Sequence, residues 1–367
     1  MIFITILLLL ALCTFREQKI SYSLYEVDMT ISKRKVYTGT AILCFIMFAI
    51  CALRSTSVGI DTEHYYNSFQ QGTNRNIEIG YWLVRDIALL FSNPFQVFLA
   101  IYAAASIFPL YYTLKRESVN VAFSLLIYLS FSNYFYPETF NTIRATASIA
   151  FYLLGLSFWL RHDRKIAIVL FLVSTVFHNS AIIALLLTVG ILYINLFSRK
   201  LTYSALLLSV IFGLGFKSGF SDFAETISLW ISSVSGDAID YYSQYVNQFE
   251  ETSFNIVGTL ANMLPFTLFA IFLYDEENSR NAFYKLFVMG VILSNIFISV
   301  MLVYRITMFF TVMLLIVLPN TYVRLKGTKL KIVKGLIFFM ILWYIYKLFG
   351  STSDKMAGII PYTFFFE

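Results

Sequence analysis

The sequence has few charged residues. Only 13% of its 367 residues are Asp, Glu, Lys or Arg, whereas about 25% is usual in a soluble domain. Hydrophobic residues make up 59% of the chain, and the mean hydropathy is +0.73. Such a chain has too few polar groups to cover a water-facing surface, which excludes a soluble multidomain protein. The formal net charge of +6 is accordingly interpreted as a membrane-orientation signal, and no nucleic-acid partner is predicted.

Cysteine and the common cofactor motifs are also scarce. The three cysteines, Cys13, Cys44 and Cys51, all lie in apolar segments, where a thiol behaves as a small hydrophobic group. They therefore predict neither a disulfide framework nor a metal site. The sequence contains no Walker, dinucleotide-binding or zinc motif and no internal repeat, which argues against an ATP-driven pump. We expect no cofactor and no obligatory metal. The carboxylates of Asp61 and Glu63 nevertheless leave a divalent-metal site as an alternative.

The sequence contains long apolar runs instead. Their length is close to what a helix needs to cross about 30 Å of hydrocarbon. They predict an all-α integral membrane protein, a polytopic bundle of about 11–12 transmembrane helices that forms a single domain over residues 1–367. The first run lacks a basic start and a cleavage site, so we expect it to be retained. The runs are 2–15, 36–53, 95–114, 120–136, 142–160, 166–178, 180–197, 201–216, 256–274, 286–303, 306–323 and 332–349, with 166–197 as either one helix or two.

The basic residues predict the orientation of this bundle. If every run crosses the membrane, most of the 27 Lys and Arg residues fall in loops on one side. The positive-inside rule makes that side cytoplasmic and puts both termini outside. Two larger loops, 54–93 and 217–255, are then extracytoplasmic. The second contains Trp230 and a tyrosine cluster, which predicts a helix along the interface.

Asp61 and Glu78 are the acidic candidates on the outer side. Asp61 lies two residues from Glu63 in a polar stretch that includes Gly59, which permits a tight turn. Asp61 can act as a general base or a metal ligand, or it can merely cap the next helix. Glu78 precedes a segment rich in aromatics, and it either takes part in chemistry or stabilises a helix N-terminus.

The basic candidates on the same side are Arg54, Arg144, Arg305 and His178. Charges at the membrane boundary are costly and usually functional. Arginine suits phosphate because its guanidinium binds in a planar, bidentate fork, although snorkelling or ion pairs with Asp61 or Glu78 are alternatives. His178 ends an apolar run, where it can accept a proton from a hydroxyl or simply bond to nearby backbone.

Five short motifs across residues 54–310 together resemble the EpsG-like branch of the Wzy polysaccharide polymerases. One departure is Ala145, which follows Arg144 where a polar Gln is expected. The motifs are Arg54-x4-Gly59-x-Asp61-Thr62-x2-Tyr65-Tyr66-x2-Phe69 with Glu78-x-Gly80-Tyr81, then Asn141-x2-Arg144, Phe177-His178-x-Ser180 and Tyr304-Arg305-Ile306.

The resemblance implies a multi-pass glycosyltransferase of the bacterial cytoplasmic (inner) membrane, similar in fold to the C-type membrane glycosyltransferases, with its active site facing the periplasm or outside. It implies that the enzyme joins O-antigen or exopolysaccharide repeat units carried on undecaprenyl pyrophosphate. Partners would be a flippase, a chain-length regulator and a ligase. The predicted catalytic residues are His178, Asp61 and Glu78, and the predicted pyrophosphate- and glycan-binding residues are Arg54, Arg144, Arg305 and Tyr65.

Two other functions stay open at this stage. One is another lipid-linked transferase, such as an O-antigen ligase, although a ligase should have a histidine in its large outer loop and 217–255 has none. The other is a flippase or polysaccharide transporter, which should instead place charged residues near the bilayer midplane.

Overall fold

The computed structural model describes residues 2–22, 29–72, 78–131, 135–193, 198–215, 256–298, 301–349 and 358–367. Most of these residues lie in α-helices. The helices are α1 (Ile2–Tyr22), α2 (Met29–Ala52), α3 (Thr62–Gln71), α4 (Ile79–Ala88), α5 (Pro94–Glu117), α6 (Val121–Ser130), α7 (Glu138–Asn141), α8 (Ile143–Leu160), α9 (Arg164–Phe177), α10 (Ser180–Tyr193), α11 (Arg199–Gly215), α12 (Ile256–Phe272), α13 (Glu276–Arg280), α14 (Ala282–Ile296), α15 (Met301–Thr311), α16 (Leu314–Tyr322) and α17 (Gly327–Phe349).

Each apolar run of the sequence overlaps a helix, which confirms the all-α membrane fold. A helix is the expected form because it satisfies its own backbone hydrogen bonds where lipid offers none. Within the described residues, four helical stretches are long and apolar enough to cross a membrane: Pro94–Glu117, Ile143–Leu160, Val303–Tyr322 and Gly327–Phe349. The run 166–197 forms two helices, α9 and α10, that separate at His178.

Helices α8 and α9 pack side by side through small polar residues. The Ser148 hydroxyl donates to the Ser174 carbonyl at 2.7 Å, and the Ser174 hydroxyl donates to the Ser148 carbonyl at 2.8 Å. Small residues let membrane helices approach closely, and hydrogen bonds between them fix the register. Arg144 lies one turn before Ser148, and His178 lies one turn after Ser174. Because the two helices run antiparallel, this register brings Arg144 and His178 to the same end of the bundle, which we call the site end.

Both termini also lie at the site end. The Phe3 ring packs edge-on against the Tyr362 ring at 6.1 Å. The C-terminal segment 358–367 lies along the chain that follows α2, where the Ser55 amide donates to the Thr363 carbonyl at 3.0 Å and the Phe365 amide donates to the Leu53 carbonyl at 3.0 Å. The termini therefore share one end with the candidate site, as the alternation of helices requires.

The opposite end gathers charged loops. The Arg161 guanidinium pairs with the Glu117 carboxylate at 2.9 Å, and the Asn320 side chain accepts from the Val119 amide at 2.8 Å. Arg324 pairs with Asp275 and with Glu277. Loops that are far apart in sequence thus meet at one end, which agrees with the side of the bundle that the basic residues define.

Candidate active site

Three predicted residues meet at the site end: Glu78, Arg144 and His178. Glu78 immediately precedes α4, Arg144 lies in the first turn of α8, and His178 lies between α9 and α10. One oxygen of the Glu78 carboxylate accepts from Arg144 Nη1, and the other lies 2.6 Å from His178 Nδ1. All three side chains are largely buried, with 8%, 19% and 10% exposed, so water screens their interactions only weakly.

A close approach between α4 and α9 makes this cluster possible. Gly80 lies in the first turn of α4, and a Cβ atom there would stand only 2.5 Å from the Val176 carbonyl oxygen. Any larger residue would push α4 away from the end of α9. Because Glu78 lies two residues before Gly80, and His178 two residues after Val176, the missing side chain lets the carboxylate reach the imidazole.

The cluster is organised around an ionised carboxylate. Burial by itself would raise the pKa of Glu78, but the hydrogen bond from His178 and the charge of Arg144 lower that pKa to about 2. A carboxylate without a proton can only accept hydrogen bonds, so His178 Nδ1 must carry a hydrogen and donate it. The side chain of Glu78 makes no capping bond to the start of α4, so its partners are the two basic side chains.

Fixing Nδ1 leaves Nε2 as the second functional nitrogen of His178. The Ser180 hydroxyl lies 3.2 Å from Nε2, at the first residue of α10. The Glu78 carboxylate, the His178 imidazole and the Ser180 hydroxyl thus form a chain of contacts, in which the acid orients the imidazole so that Nε2 can accept a proton from a hydroxyl. A substrate hydroxyl would displace the Ser180 hydroxyl from Nε2 or transfer its proton through it.

A second group of ionisable residues consists of Asp61, Glu138 and Arg305. Asp61 precedes α3, Glu138 begins α7 and Arg305 lies in α15. Arg305 is near enough to both carboxyl groups to affect their ionisation, but within the described residues it forms no ion pair with either. Asp61 likewise has no side-chain hydrogen bond or ion pair in the described part of the chain, and it makes no cap on α3. Its carboxylate and the Arg305 guanidinium are therefore free to bind a ligand.

Burial and neighbouring charges set the ionisation of the two acids. Burial raises the pKa of Asp61, although Arg305, His64 and Arg144 partly oppose that rise. Burial also raises the pKa of Glu138 to about 7, against the hydrogen bonds that it accepts from Thr142 and Tyr304. Those bonds measure 3.0 Å to the Thr142 hydroxyl and 3.3 Å to the Tyr304 hydroxyl. Glu138 can therefore gain or lose a proton near neutral pH.

Glu138 is a site residue that the sequence analysis missed. It lies between the apolar runs 120–136 and 142–160, on the side where the other unusual charges collect. A carboxylate at such a boundary is itself a signal of function, and that criterion applied evenly would have found it.

Tyr65 joins the two groups. Tyr65 is buried in α3, and its ring centroid lies 6.0 Å from the guanidinium carbon of Arg144. The same guanidinium pairs with Glu78. Gly59 lies just before α3 and has a positive φ of 93°. A Cβ atom at Gly59 would lie about 3 Å from both the Asn141 side chain and the Phe140 carbonyl, so glycine lets α3 pack close to α7.

Arg54 lies apart from both groups. Its Nη1 donates to the Cys51 carbonyl at 2.9 Å, its Nη2 donates to the Phe140 carbonyl at 3.0 Å, and its guanidinium carbon lies 5.1 Å from the Phe140 ring centroid. The residue is 1% exposed. These contacts connect the end of α2 to α7 and favour a positioning role. The interpretation of Arg54 as a pyrophosphate ligand remains a prediction that its contacts do not support.

A family model described as the EpsG family matches residues 39–364. The chain belongs to the EpsG family. The matched region includes every residue of both ionisable groups, together with Tyr65 and Arg54. No curated protein and no solved structure matches the chain at the threshold applied. The similarity to C-type membrane glycosyltransferases therefore stays a prediction.

The two large loops and a possible metal site were also predicted from the sequence. The loop 54–93, which the sequence predicts to be extracytoplasmic, contains two helices, α3 and α4, and these carry Tyr65 and position Glu78. The loop 217–255 and its predicted interface helix lie outside the described residues. In the part of the chain that the structure describes, no three His, Cys, Asp or Glu side chains are grouped so that they could hold a metal ion.

Proposed function

We propose that this membrane protein is a polysaccharide polymerase, a glycosyltransferase that moves a growing glycan from undecaprenyl pyrophosphate onto a lipid-linked repeat unit at the outer face of the cytoplasmic membrane. Membership of the EpsG family supports a polymerase-like role in making exopolysaccharide or O-antigen. The observation that carries the proposal is the Glu78 carboxylate, which contacts both the His178 imidazole and the largely buried Arg144 guanidinium at one end of the bundle.

The reaction joins an acceptor hydroxyl oxygen to the anomeric carbon of the donor and breaks the bond from that carbon to pyrophosphate. Positive charge develops on the sugar and negative charge on the departing pyrophosphate. Pyrophosphate is a stable leaving group, so the enzyme mainly has to neutralise it and remove the proton of the acceptor. Neither requirement calls for a nucleotide.

Arg144 and Arg305 suit the leaving group. Arg144 donates from Nη1 to Glu78, but its buried Nε has no hydrogen-bond partner within the described residues, so a donor remains for an oxygen of the substrate. Arg305 forms no ion pair there. Two guanidinium groups bind adjacent phosphates through several charge-assisted hydrogen bonds, which a hydrated lysine does less well. One oxygen of the Glu78 carboxylate thereby positions Arg144, and the other orients His178.

His178 suits the acceptor. With Nδ1 donating to Glu78, Nε2 accepts the proton of the attacking hydroxyl, and the carboxylate stabilises the imidazolium that forms. Asp61 is the other candidate base, and its unpaired carboxylate can instead orient a sugar hydroxyl. Tyr65, next to Arg144, offers a ring that can pack against the reacting sugar.

The experiment that tests the function is the surface polysaccharide profile of a deletion strain on a denaturing gel. Complementation with the wild type should restore a ladder, whereas the uncomplemented strain should show only a single-repeat band. Absence of the single-repeat band would instead indicate a flippase, a ligase or an earlier transferase. A normal ladder in the deletion strain would overturn the proposal.

A further inference from the structure

A concave surface opens at the site end, beside α3 rather than among the arginines. It is bounded by the start of α5, the chain after α2, the end of α4 and the C-terminal segment, with a volume of about 390 Å³. That volume lies within the range of small-molecule sites. We call it the amide groove, after three of the side chains that line it: Gln70, Asn93 and Gln96.

The chemistry of the amide groove is neutral. Among the residues that the structure describes, no Lys, Arg, Asp or Glu side chain lines it, although both ionisable groups lie at the same end of the bundle. The amide groups of Gln70 and Asn93 have no hydrogen-bond partner within the described residues, and both residues are exposed. Each offers two donors and an acceptor, the combination that a sugar hydroxyl can use in either direction.

Aromatic rings complete the lining. The Tyr66 and Phe95 rings meet edge-to-face at 5.0 Å, with Phe95 buried and Tyr66 36% exposed. Phe95 thus holds the Tyr66 ring in place while part of that ring faces the groove. A fixed aromatic surface beside unpaired amides is suited to an amphipathic ligand such as a pyranose, which has an apolar face and a rim of hydroxyls.

Helix α3 connects the amide groove to the candidate active site. Tyr65 contacts Arg144, and the next residue, Tyr66, lines the groove. A glycan whose reacting sugar lies beside Tyr65 therefore has a neutral, aromatic surface across the same helix. The pyrophosphate requires the arginines, and the uncharged sugars do not.

The C-terminal segment forms one wall of the amide groove. Phe365 lines it, and the strand-like pairing of this segment with residues 53–55 keeps Phe365 there. The Ser55 hydroxyl also bonds to the Thr363 hydroxyl at 2.6 Å. The groove is therefore built by tertiary contacts between segments from opposite ends of the sequence.

We propose that the amide groove binds the neutral sugar units of the glycan that extend away from the reacting anomeric carbon. This inference rests on the proposed function for its biological role. The binding of saccharide to the groove can be measured independently of catalysis.

The test uses the purified full-length protein and a defined probe. The probe is the strain's own surface polysaccharide, cut to oligosaccharides by mild acid and freed of lipid and phosphate, and binding is followed by calorimetry. Gln70→Ala and Asn93→Ala should each weaken binding about fivefold, the loss expected for one hydrogen bond. Gln71→Ala is the matched control, since Gln71 is the exposed neighbour that does not line the groove. Tyr66→Ala should weaken binding, and Tyr66→Phe should preserve it.

The outcomes separate the two proposals. Equal affinity of the wild type and the Gln70, Asn93 and Tyr66 variants, or no binding by the wild type, would overturn the groove assignment whether or not the strain makes a ladder. Binding that depends on Gln70 and Asn93, in a protein whose deletion leaves a normal ladder, would support the groove and overturn the polymerase. The thermal unfolding midpoint of each variant shows that it is folded.

Discussion

One oxygen of Glu78 lies 2.6 Å from Nδ1 of His178, although 100 positions separate the two residues in the chain. The same carboxylate accepts from Arg144 through its other oxygen. A single acid thus sets the orientation of an imidazole and of a guanidinium, the two groups that the proposed glycosyl transfer from a pyrophosphate needs most.

Replacing His178 by Ala should lower the rate of polymerisation by about 100-fold or more, the contribution of a positioned general base. The measurement is the amount of ladder per unit of membrane protein, compared with wild type. His162→Asn is the matched control, because His162 is an exposed histidine at the opposite end whose φ of 68° Asn also tolerates. A full ladder from His178→Ala would show that His178 is not the general base.

Arg144→Lys should lower the amount of polymer, even though it keeps the positive charge. Lysine cannot bind Glu78 and a phosphate oxygen at once through a planar fork, so we expect a loss of about tenfold or more. Its ladder should be compared with that of Arg164→Lys, since Arg164 is the exposed first residue of α9, at the opposite end of the bundle. If Arg144→Lys polymerises like wild type, the bidentate role of Arg144 is wrong.

Glu138 should make the stability of the fold depend on pH between about 4.5 and 7. Its pKa is raised to about 7 in the folded protein, from an ordinary value of 4.5. Below pH 4.5 both states are protonated, so the group has no effect. As the pH rises from 4.5 to 7 the unfolded state loses its proton first, and stability falls by at most about 3 kcal/mol before levelling off.

The check is the thermal unfolding midpoint in detergent at pH 4.5, 6 and 7.5, for wild type and Glu138→Gln. The glutamine variant keeps the shape and cannot ionise, so its midpoint should fall less over this interval. Parallel curves for the two proteins would mean that Glu138 has an ordinary pKa.

Arg54→Met should lower the amount of folded protein in the membrane rather than the activity of each molecule. It removes two hydrogen bonds from a buried guanidinium to backbone carbonyls, with an expected cost of about 2–3 kcal/mol. Protein level and unfolding midpoint should fall together, while activity per folded molecule stays near wild type. Normal protein with no polymer would return Arg54 to the list of substrate ligands.

Gly80→Ala should impair activity because its Cβ would stand 2.5 Å from the Val176 carbonyl oxygen and force α4 away from α9. Glu78 would then be moved from His178. Gly335→Ala is the control, since nothing lies within 4 Å of a Cβ at that helical position. A ladder from Gly80→Ala equal to that from Gly335→Ala would show that α4 can move without loss.

The motifs of the sequence named Glu78, Arg144 and His178 as candidates, but an ion pair between an arginine and Glu78 was only one alternative, and the contact between Glu78 and His178 was not predicted. Asp61 and Glu78 both precede helices, so capping was a reasonable alternative for each, and neither side chain makes a capping bond. Arg54 shows the reverse case. Its position at the predicted membrane boundary suggested substrate binding, whereas its hydrogen bonds go to Cys51 and Phe140.

The sequence by itself determined the class of the protein. Apolar runs of membrane length, separated by polar loops, suit helices because a helix satisfies its own backbone hydrogen bonds in lipid, and the loop charges predict which helix ends share one side of the membrane. The tertiary structure alone decided the site. Pairing depends on the register that Ser148 and Ser174 fix between α8 and α9, and on the space that Gly80 leaves beside Val176. These are contacts between distant segments, and only packing at close range specifies them.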